Sequence, residues 1–550
     1  MTHLTPSPQP LIRVALLILI LWLVIAPAAS PAEEQGQAIL LPFIASSPRT
    51  FRVANEAELR DAILEANGDG LLPAIILLDD IALTAPLPAL DNPHAGIITL
   101  DGNGHTLDGQ GNGPILTFTP GTEAIIENLT LENGWGDCGG AIHNEGVLTI
   151  RNSHLTRNTA VNGGGICVIT QKSGGQDDVA VLLIEDTSLV ANEATGSGGA
   201  IFAVSVSIAV NESAGDVEVD VNRSRLEGNA AGDSGGGIFA RGGTNNRTHV
   251  GLFETTLAGN RAEQGFGGAI HATTSNGFIY LWLNRSTVSD NTALMGGGLY
   301  QQGATGFYWY SGGRADANIY NSTFSGNLAT AGGGAIYNLD VPEEWIPLRM
   351  PQDPPPIGGS YVLLAYSTIA FNRAGSGGGI MDAGNTTLKA SIVADNAGGD
   401  CNEHMGSAGY NLDSDKSCGL NGASDVSGGA ADLRPLALNA PGLTMTHALG
   451  PDSQARDRIP SGEFDGCFLG LPNPDQRRVT RPQPIGGRCD IGAFEARSGD
   501  YAAEGLQEWG VCKEGDCLET DFSRKISVSN KKGLPPLSGA GLSSFLIRRS

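Results

Sequence analysis

The chain has 550 residues, of which 78 are glycine, and its 33 basic and 58 acidic residues give a formal net charge of −25. The glycines follow no three-residue period, which excludes collagen, and a hydrophobic share of 41% excludes a disordered chain. The acidic balance provides no electrostatic footprint for nucleic acid, so we expect no nucleic-acid partner.

Residues 1–32 have the pattern of a secretory signal peptide. Arg13 precedes an apolar run over 14–25, and small residues then allow cleavage after Ala28 or Ala32. The run is short for a transmembrane helix, which needs about 20 residues, although an uncleaved anchor is the alternative. We therefore expect a secreted or cell-surface protein, without a transmembrane span in the mature chain. Residues 33–50 are interpreted as a linker.

A short helix is predicted over residues 55–67, with Asn55 as its N-cap and Gly68 at its C′ position. Residues 75–78 and 97–100 have the composition of early strands. The open end of a stack of strands exposes edges and core, so we expect this helix to cap the first coil. Its apolar positions have helical spacing: Ala57, Leu59, Ala62, Ile63 and Ala66.

An Asn-anchored repeat runs through the middle of the chain. Each anchor follows a Ser or Thr by five residues and an apolar residue by three, and a glycine-rich run and an aliphatic residue follow most anchors. An alternating apolar pair precedes most copies. The anchors are Asn158, Asn192, Asn229, Asn260, Asn291, Asn327, Asn372 and Asn396.

No single unit of this repeat can bury its apolar face alone, but stacked units form one continuous core. We therefore predict an all-β fold over residues 51–400, a right-handed parallel β-helix (a pectate-lyase-like solenoid) with about three short strands per coil. The Gly-Gly pairs are predicted at bends that need positive φ. The anchor Asn residues are predicted to adopt left-handed turn geometry and to form a ladder of stacked amides. We expect a monomer.

Phe278, Tyr280 and Trp282 alternate with Ile279, Leu281 and Leu283, so the aromatics are predicted on the outer face. His249 and Tyr361 occupy the same repeat position as Tyr280. Exposed aromatic side chains can stack on sugar rings or contact a protein partner. Phe278, Tyr280 and Trp282 are therefore the candidate ligand contacts. The alternative is an insertion loop that folds over them, since insertions such as 307–310 and 342–356 separate the repeats.

The eight cysteines fall in local pairs along the chain, and none has zinc-site spacing, so structural disulfides are indicated without a provable connectivity. The pairs are Cys138 and Cys167, Cys401 and Cys418, Cys467 and Cys489, and Cys512 and Cys517. We expect no cofactor and no metal. The one candidate metal loop holds Asn411, Asp413 and Asp415, and its alternative is a turn stabilised by Asx hydrogen bonds.

The repeat resembles the polymorphic outer-membrane-protein type through Phe324-Ser-Gly-Asn327 and Gly333-Gly334-Ala335-Ile336. The C-terminal motifs follow the order seen in choice-of-anchor Q proteins: Cys401, 409–412, Cys418, 446–449, 475–477 and 489–495. This resemblance implies a secreted or surface protein of bacterial type with no assigned catalysis. It also implies that residues 401–497 form a separate C-terminal region, expected to be a disulfide-containing cap. Residues 498–550 are predicted to be a poorly ordered tail.

Many β-helices are polysaccharide lyases or glycoside hydrolases, so an enzyme is the alternative function. The Asn-Thr-Asp, Gly-His-Gly and Arg-Ile-Lys motifs of polygalacturonases are absent from the sequence, and we assign no catalytic residue. His143 and His271 are expected to face solvent, while His447 and Asp490 are expected to make structural hydrogen bonds. The favoured hypothesis is a non-enzymatic rigid scaffold for adhesion, with an extracellular glycan or a matrix protein as its partner.

Overall fold

The computed structural model describes residues 49–68, 72–92, 96–171, 179–206, 215–244, 246–274, 276–306, 312–342, 357–462, 467, 474–498 and 500. The predicted signal peptide, most of the linker, the tail with Cys512 and Cys517, and most of both insertions lie outside these residues. Among the residues described, no helix is long and apolar enough to cross a membrane.

Parallel strands stack coil upon coil into a right-handed β-helix, which confirms the predicted fold class. Sheet 1 is the longest wall, and each of its strands pairs in parallel with the equivalent strand of the next coil. Its strands are Thr50–Val53, Ala74–Leu77, Ile98–Asp101, Glu123–Glu127, Val147–Arg151, Ala180–Glu185, Val217–Asn222, Arg247–Phe253, Phe278–Asn284, Arg314–Tyr320, Ile357–Ala365, Asn385–Lys389 and Gly406–Ser407.

Three further walls complete the central coils. Sheet 2 consists of Ile81–Ala82, Thr106–Asp108, Thr130–Glu132, His154–Thr156, Ser188–Val190, Arg225–Glu227, Thr256–Ala258, Thr287–Ser289, Thr323–Ser325, Thr368–Ala370, Ile392–Ala394, Leu412–Asp413 and Val426–Ser427. Sheet 3 consists of Trp135–Cys138, Thr159–Asn162, Glu193–Ala194, Ala230–Ala231, Arg261–Ala262, Thr292–Met295 and Leu328–Gly332. Sheet 4 consists of Leu116–Phe118, Ile142–Asn144, Ile166–Gln171, Ile201–Val206, Ile238–Gly242, Ile270–Thr274, Leu299–Gly306, Ile336–Pro342 and Ile380–Ala383. The central coils therefore carry four strands where we predicted three, because sheet 3 is a short extra wall on the way to the glycine bend.

Helix α1, Glu56–Asn67, caps the first coil as predicted. The Asn55 side chain accepts a hydrogen bond from the backbone N–H of Glu58, and the helix packs against the first two strands of sheet 1. Gly68 ends the helix with φ of −91°, so its backbone is in the right-handed region.

The interior is built from apolar ladders, with one aliphatic side chain above its copy in the next coil. Ile238, Ile270 and Leu299 are successive members in sheet 4, and all three are fully buried. Burial of this kind along the whole stack joins the coils into one hydrophobic core.

The anchor Asn side chains form the predicted ladder. Each amide donates to the side-chain oxygen of the next anchor over 2.9–3.0 Å, from Asn158 to Asn396, and the last donates to the Asp400 carboxylate. The predicted backbone geometry is wrong, however, because the left-handed residue is the one before each anchor. That residue turns the corner and leaves the following Asn side chain pointing into the stack. The left-handed residues are Arg157, Ala191, Gly228, Gly259, Asp290, Gly326, Phe371 and Asp395.

The Gly-Gly bend behaves as predicted. Gly235 has φ of +68°, and a Cβ on the following Gly236 would lie 2.4 Å from the carbonyl oxygen of Gly268 in the next coil. The first position therefore needs a left-handed backbone, and the second has no room for a Cβ atom. Glycine meets both requirements at low cost.

The C-terminal region folds back along the outer face of sheet 2. The last strands of sheets 1 and 2 lie beyond residue 400, so the stack continues into the region that the sequence assigns to the cap. Further on, Gln476 bonds to Thr323 and His447 bonds to Ser325, at 2.7 and 2.8 Å. Arg478 forms an ion pair with the buried Glu254. These contacts fasten the cap across several coils.

Three predicted disulfides are present. Cys401–Cys418 and Cys467–Cys489 lie in the C-terminal region, and Cys138–Cys167 joins sheets 3 and 4. The cap also buries two ion pairs, Arg477 with Asp475 at 2.8 Å and Arg481 with Glu495 at 3.0 Å.

Candidate functional site

The structure places Phe278, Tyr280 and Trp282 on the outer face of sheet 1, on the strand Phe278–Asn284. The alternate residues of that strand are buried in the core. Phe278 is 37% exposed and Trp282 is 48% exposed, while Tyr280 is half-buried. Two of the three candidate residues therefore present much of their ring surface to solvent.

Neighbouring coils extend this surface. Tyr280 lies between His249 and Asp316 in register, and Tyr361 follows Asp316 one coil further on. The ring centroids of Phe278 and Tyr280 are 6.3 Å apart with nearly parallel planes, and those of Trp282 and Tyr320 are 5.5 Å apart. We call the five residues Phe278, Tyr280, Trp282, Tyr320 and Tyr361 the aromatic face.

Charged side chains border the aromatic face as pairs. Arg314 lies 2.7 Å from Asp316, and its guanidinium stacks 4.7 Å above the centre of the Tyr361 ring. The hydrogen bond to Asp316 raises the pKa of Arg314, so the guanidinium stays charged. His249 lies 3.6 Å from Asp220 in the coil before.

A further pair stands at one corner of the aromatic face, where Arg247 lies 3.2 Å from Asp216. The carboxylates of Asp216, Asp220 and Asp316 thus each face a basic partner. The surface offers ring faces for stacking and polar groups for hydrogen bonds, and these three carboxylates do not form the free pair that glycoside hydrolysis uses.

The candidate metal loop uses its side chains for hydrogen bonds. The side-chain oxygen of Asn411 accepts a hydrogen bond from the Ser391 N–H at 3.1 Å. Asp413 accepts from the N–H groups of Cys418 and Gly428, and Asp415 accepts from those of Asp400 and Ser417. These contacts fit the alternative that the sequence left open, a turn held by Asx hydrogen bonds.

A second cluster of metal-binding residue types, which the sequence did not suggest, brings together Cys138, His143 and Cys167 within 4.8 Å. The two sulfurs are joined in a disulfide, so neither is available as a thiolate ligand. The ring nitrogens of His143 face the carbonyl oxygen of Cys138 and the carboxylate of Glu145. The cluster is therefore a disulfide with a hydrogen-bonded histidine beside it.

The prediction that His271 faces solvent is wrong. It projects from the outer side of sheet 4, but it packs edge-on against Phe239, Phe266 and Tyr300 and is 7% exposed. Burial lowers the pKa of His271 to about 3. The sequence does hold a signal for this cluster, because an aromatic residue follows the aliphatic one in several repeats: Phe202, Phe239, Tyr300 and Tyr337.

His447 makes structural hydrogen bonds, as expected, to Ser325 and to the carbonyl oxygen of Arg434. Burial lowers the pKa of its imidazole. Asp490 likewise accepts from the backbone N–H groups of Asp457 and Ala496 inside the cap. Both residues fasten the C-terminal region and neither lies on the aromatic face.

The family model of the Chlamydia polymorphic membrane protein repeat matches residues 321–339. The match spans both motifs that carry the resemblance, which confirms that this β-helix contains a repeat of that type. No curated protein matches the chain. The choice-of-anchor Q resemblance of the C-terminal region stays a prediction.

Two solved structures are similar at low identity. One, described as "L. reuters 100-23 SRRP", is 14% identical, with 70% of this chain and 98% of that chain covered and a TM-score of 0.28. The other is a mannuronic acid specific polysaccharide family 6 lyase from human gut microbiota, 10% identical, with 62% and 86% covered and a TM-score of 0.26. Both TM-scores are too low for either likeness to bear on function.

Proposed function

We propose that this protein is a secreted or cell-surface β-helix scaffold without catalytic activity, which binds an extracellular glycan through the aromatic face. The observation that carries the proposal is the exposure of Phe278, Trp282 and Tyr361 on one rigid sheet. Large apolar side chains exposed together on a folded surface mark contact sites for ligands or partners.

A glycan suits this surface because sugar rings have an apolar face and a rim of hydroxyl groups. The aromatic rings provide stacking surfaces, and Arg314 and Asp316 provide a hydrogen-bond donor and acceptor beside them. The paired charges leave no excess positive charge on the face, so the proposal does not require an anionic ligand.

The sheet holds these side chains in place before binding. Phe278–Asn284 pairs along its whole length with the strands on both sides, so little backbone freedom is lost when a ligand binds. A rigid rod with such a face suits adhesion to a glycan-bearing surface or matrix.

Export is supported by the signal-peptide pattern of residues 1–32 and by three disulfides, which persist in oxidising compartments. The polymorphic-membrane-protein type of repeat agrees with a place at the bacterial surface. Attachment through the C-terminal region would follow from its choice-of-anchor Q resemblance.

The test is to screen the full secreted chain on arrays of neutral and anionic glycans and of immobilised matrix proteins. We expect glycan binding that weakens when Phe278 and Trp282 are both changed to Ala. Trp135→Ala is the matched control, because Trp135 is 49% exposed but lies on sheet 3. Binding to matrix proteins alone would contradict the glycan assignment.

The same glycans are then assayed for new reducing ends and for unsaturated products. We expect neither, because Asp216, Asp220 and Asp316 beside the aromatic face each face a basic residue. Cleavage of any bound glycan would establish the alternative function, a polysaccharide lyase or glycoside hydrolase, and would contradict the binding-only proposal.

A further inference from the structure

A cavity of about 840 Å³, widely open to solvent, lies where the last coils meet the C-terminal region. The coils contribute Phe371, Asp395 and Ser414 to its lining, and the rest comes from residues 428–433. Phe371 follows the sheet 2 strand Thr368–Ala370, so the cavity opens at the corner after sheet 2 and is separate from the aromatic face on sheet 1.

Phe371 is the one aromatic residue among the left-handed corner residues listed above. It has φ of +58°, at the position that other coils fill with Gly228, Gly259 and Gly326 or with Arg157, Ala191, Asp290 and Asp395. Glycine adopts this backbone at low cost, whereas a bulky side chain does so at a cost in stability. The ring is nevertheless 43% exposed, so burial recovers only part of that cost.

The polar groups of the cavity are hydrogen-bond acceptors. The Asp395 carboxylate is exposed and has no hydrogen-bond partner among the residues that the structure describes. Asp432 accepts from the backbone N–H of Asp452 at 3.0 Å through one carboxylate oxygen. An exposed ring thus stands beside acceptors suited to hydroxyl groups, and the two carboxylates disfavour an anionic ligand.

We propose that this cavity binds one neutral sugar ring, which stacks on Phe371 and donates hydroxyl hydrogen bonds to Asp395 and Asp432. It is a second carbohydrate site, and it does not depend on ligand binding at the aromatic face. A polymer that reached both sites would be held at two points of one rigid rod.

The competing explanation is that Phe371 only packs against the cap, since its ring centroid lies 5.1 Å from that of His447. Phe371→Gly separates the two. A binding role predicts that Phe371→Gly keeps or raises the melting temperature, because glycine relaxes the left-handed backbone, while affinity for the sugar falls at least tenfold. A packing role predicts a lower melting temperature with the affinity unchanged.

The experiment titrates the full secreted chain with glucose, galactose, mannose, N-acetylglucosamine and glucuronate, followed by calorimetry and saturation-transfer NMR. We expect at least one neutral probe to bind and glucuronate to bind more weakly than glucose. Asp395→Asn, which changes an exposed side chain and leaves the backbone turn intact, should lower the affinity at least threefold. Trp135→Ala, on sheet 3 and away from both sites, should leave it unchanged. Repeating the Asp395→Asn comparison in a Trp282→Ala background removes binding at the aromatic face, so failure there and failure here are distinguishable.

Three results would overturn the proposal. One is that no neutral probe binds, and another is that glucuronate binds most tightly. The third is that Asp395→Asn retains full affinity. This result tests the proposal even if Phe371→Gly loses both stability and affinity.

Discussion

The side-chain amide of Asn260 donates to the side-chain oxygen of Asn291, 3.0 Å away in the next coil, and both side chains are fully buried. Asn260 also donates to the carbonyl oxygen of Leu226 and accepts from the backbone and side chain of Asn229. One side chain therefore satisfies several buried polar groups in three coils.

Asn260→Ala should destabilise the fold by about 3 kcal/mol or more, because each buried polar group left without a partner costs about 1–3 kcal/mol. The urea midpoint, followed by circular dichroism, measures the change. Asn385→Ala is the control, since Asn385 is exposed at the start of a sheet 1 strand and should shift stability by less than about 0.5 kcal/mol. Equal midpoints for the two variants would show that the amide ladder contributes little.

Ile270→Asp should destabilise strongly because it places a carboxylate inside the sheet 4 ladder, where Ile270 is fully buried between Ile238 and Leu299. Leu294→Asp makes the same kind of change at a side chain that is 39% exposed, and it should have little effect. Thermal melting of the two variants compares them directly. An unchanged melting temperature for Ile270→Asp would contradict the inward assignment of this position.

His271 should make the protein less stable in acid. Its folded-state pKa is about 3, below the ordinary value of 6.5, so the unfolded chain binds a proton that the folded chain does not. The contribution of neutral His271 to the free energy of unfolding is present above pH 6.5 and is lost as the pH falls from about 6.5 towards 3. His271→Phe fits the neighbouring aromatic ladder and should flatten this part of the stability curve relative to wild type.

The comparison of wild type with His271→Phe cancels the carboxylates of the cap, which titrate in both proteins. Burial raises the pKa of Asp490 and that of Glu495, so these groups contribute the opposite slope. Urea midpoints at unit intervals from pH 8 to pH 4 provide the measurement. Parallel curves for the two proteins would mean that His271 is not buried in its neutral form.

Gln476→Ala should loosen the C-terminal region without unfolding the rod. The Gln476 amide nitrogen lies within hydrogen-bond distance of Thr287, Thr444 and Met445, its side-chain oxygen accepts from Thr323, and the side chain is buried. Amide hydrogen exchange should therefore rise in residues 430–497 and in the sheet 2 strands beneath them. The coils before residue 220 provide the internal control, and uniform exchange changes along the chain would contradict a local clamp.

Much of the fold follows from local periodicity. Residues at a fixed distance from the anchor Asn repeat from coil to coil, so the sequence predicts which side chains stack, including Tyr280 with its register partner His249. The Gly-Gly bends were predictable for the same reason, because the same two backbone positions need glycine in successive coils. The outward placement of Phe278 and Trp282 could be predicted from one rule, that alternate residues of a strand face opposite sides of the sheet.

The remaining features depend on contacts between distant residues or on small backbone differences. Gln476 meets Thr323 across 153 residues, and no repeat relates the two segments. His271 is buried because aromatic residues of adjacent coils and Phe266 surround it, which alternation alone does not reveal. The left-handed residue lies one position before each anchor Asn. The prediction placed the left-handed turn at the Asn itself, because Asn tolerates that backbone conformation better than most residues.

The central claim is that the aromatic face binds a glycan, and the most direct measurement is the dissociation constant of wild type, Trp282→Ala and Trp135→Ala for the best ligand from the glycan array. Trp282 and Trp135 are equally exposed, at 48% and 49%, so the pair controls for the loss of one surface tryptophan. We expect Trp282→Ala to weaken binding at least tenfold, a loss of about 1.4 kcal/mol, while Trp135→Ala binds as wild type does. Equal affinity for the two variants would contradict the assignment of the aromatic face.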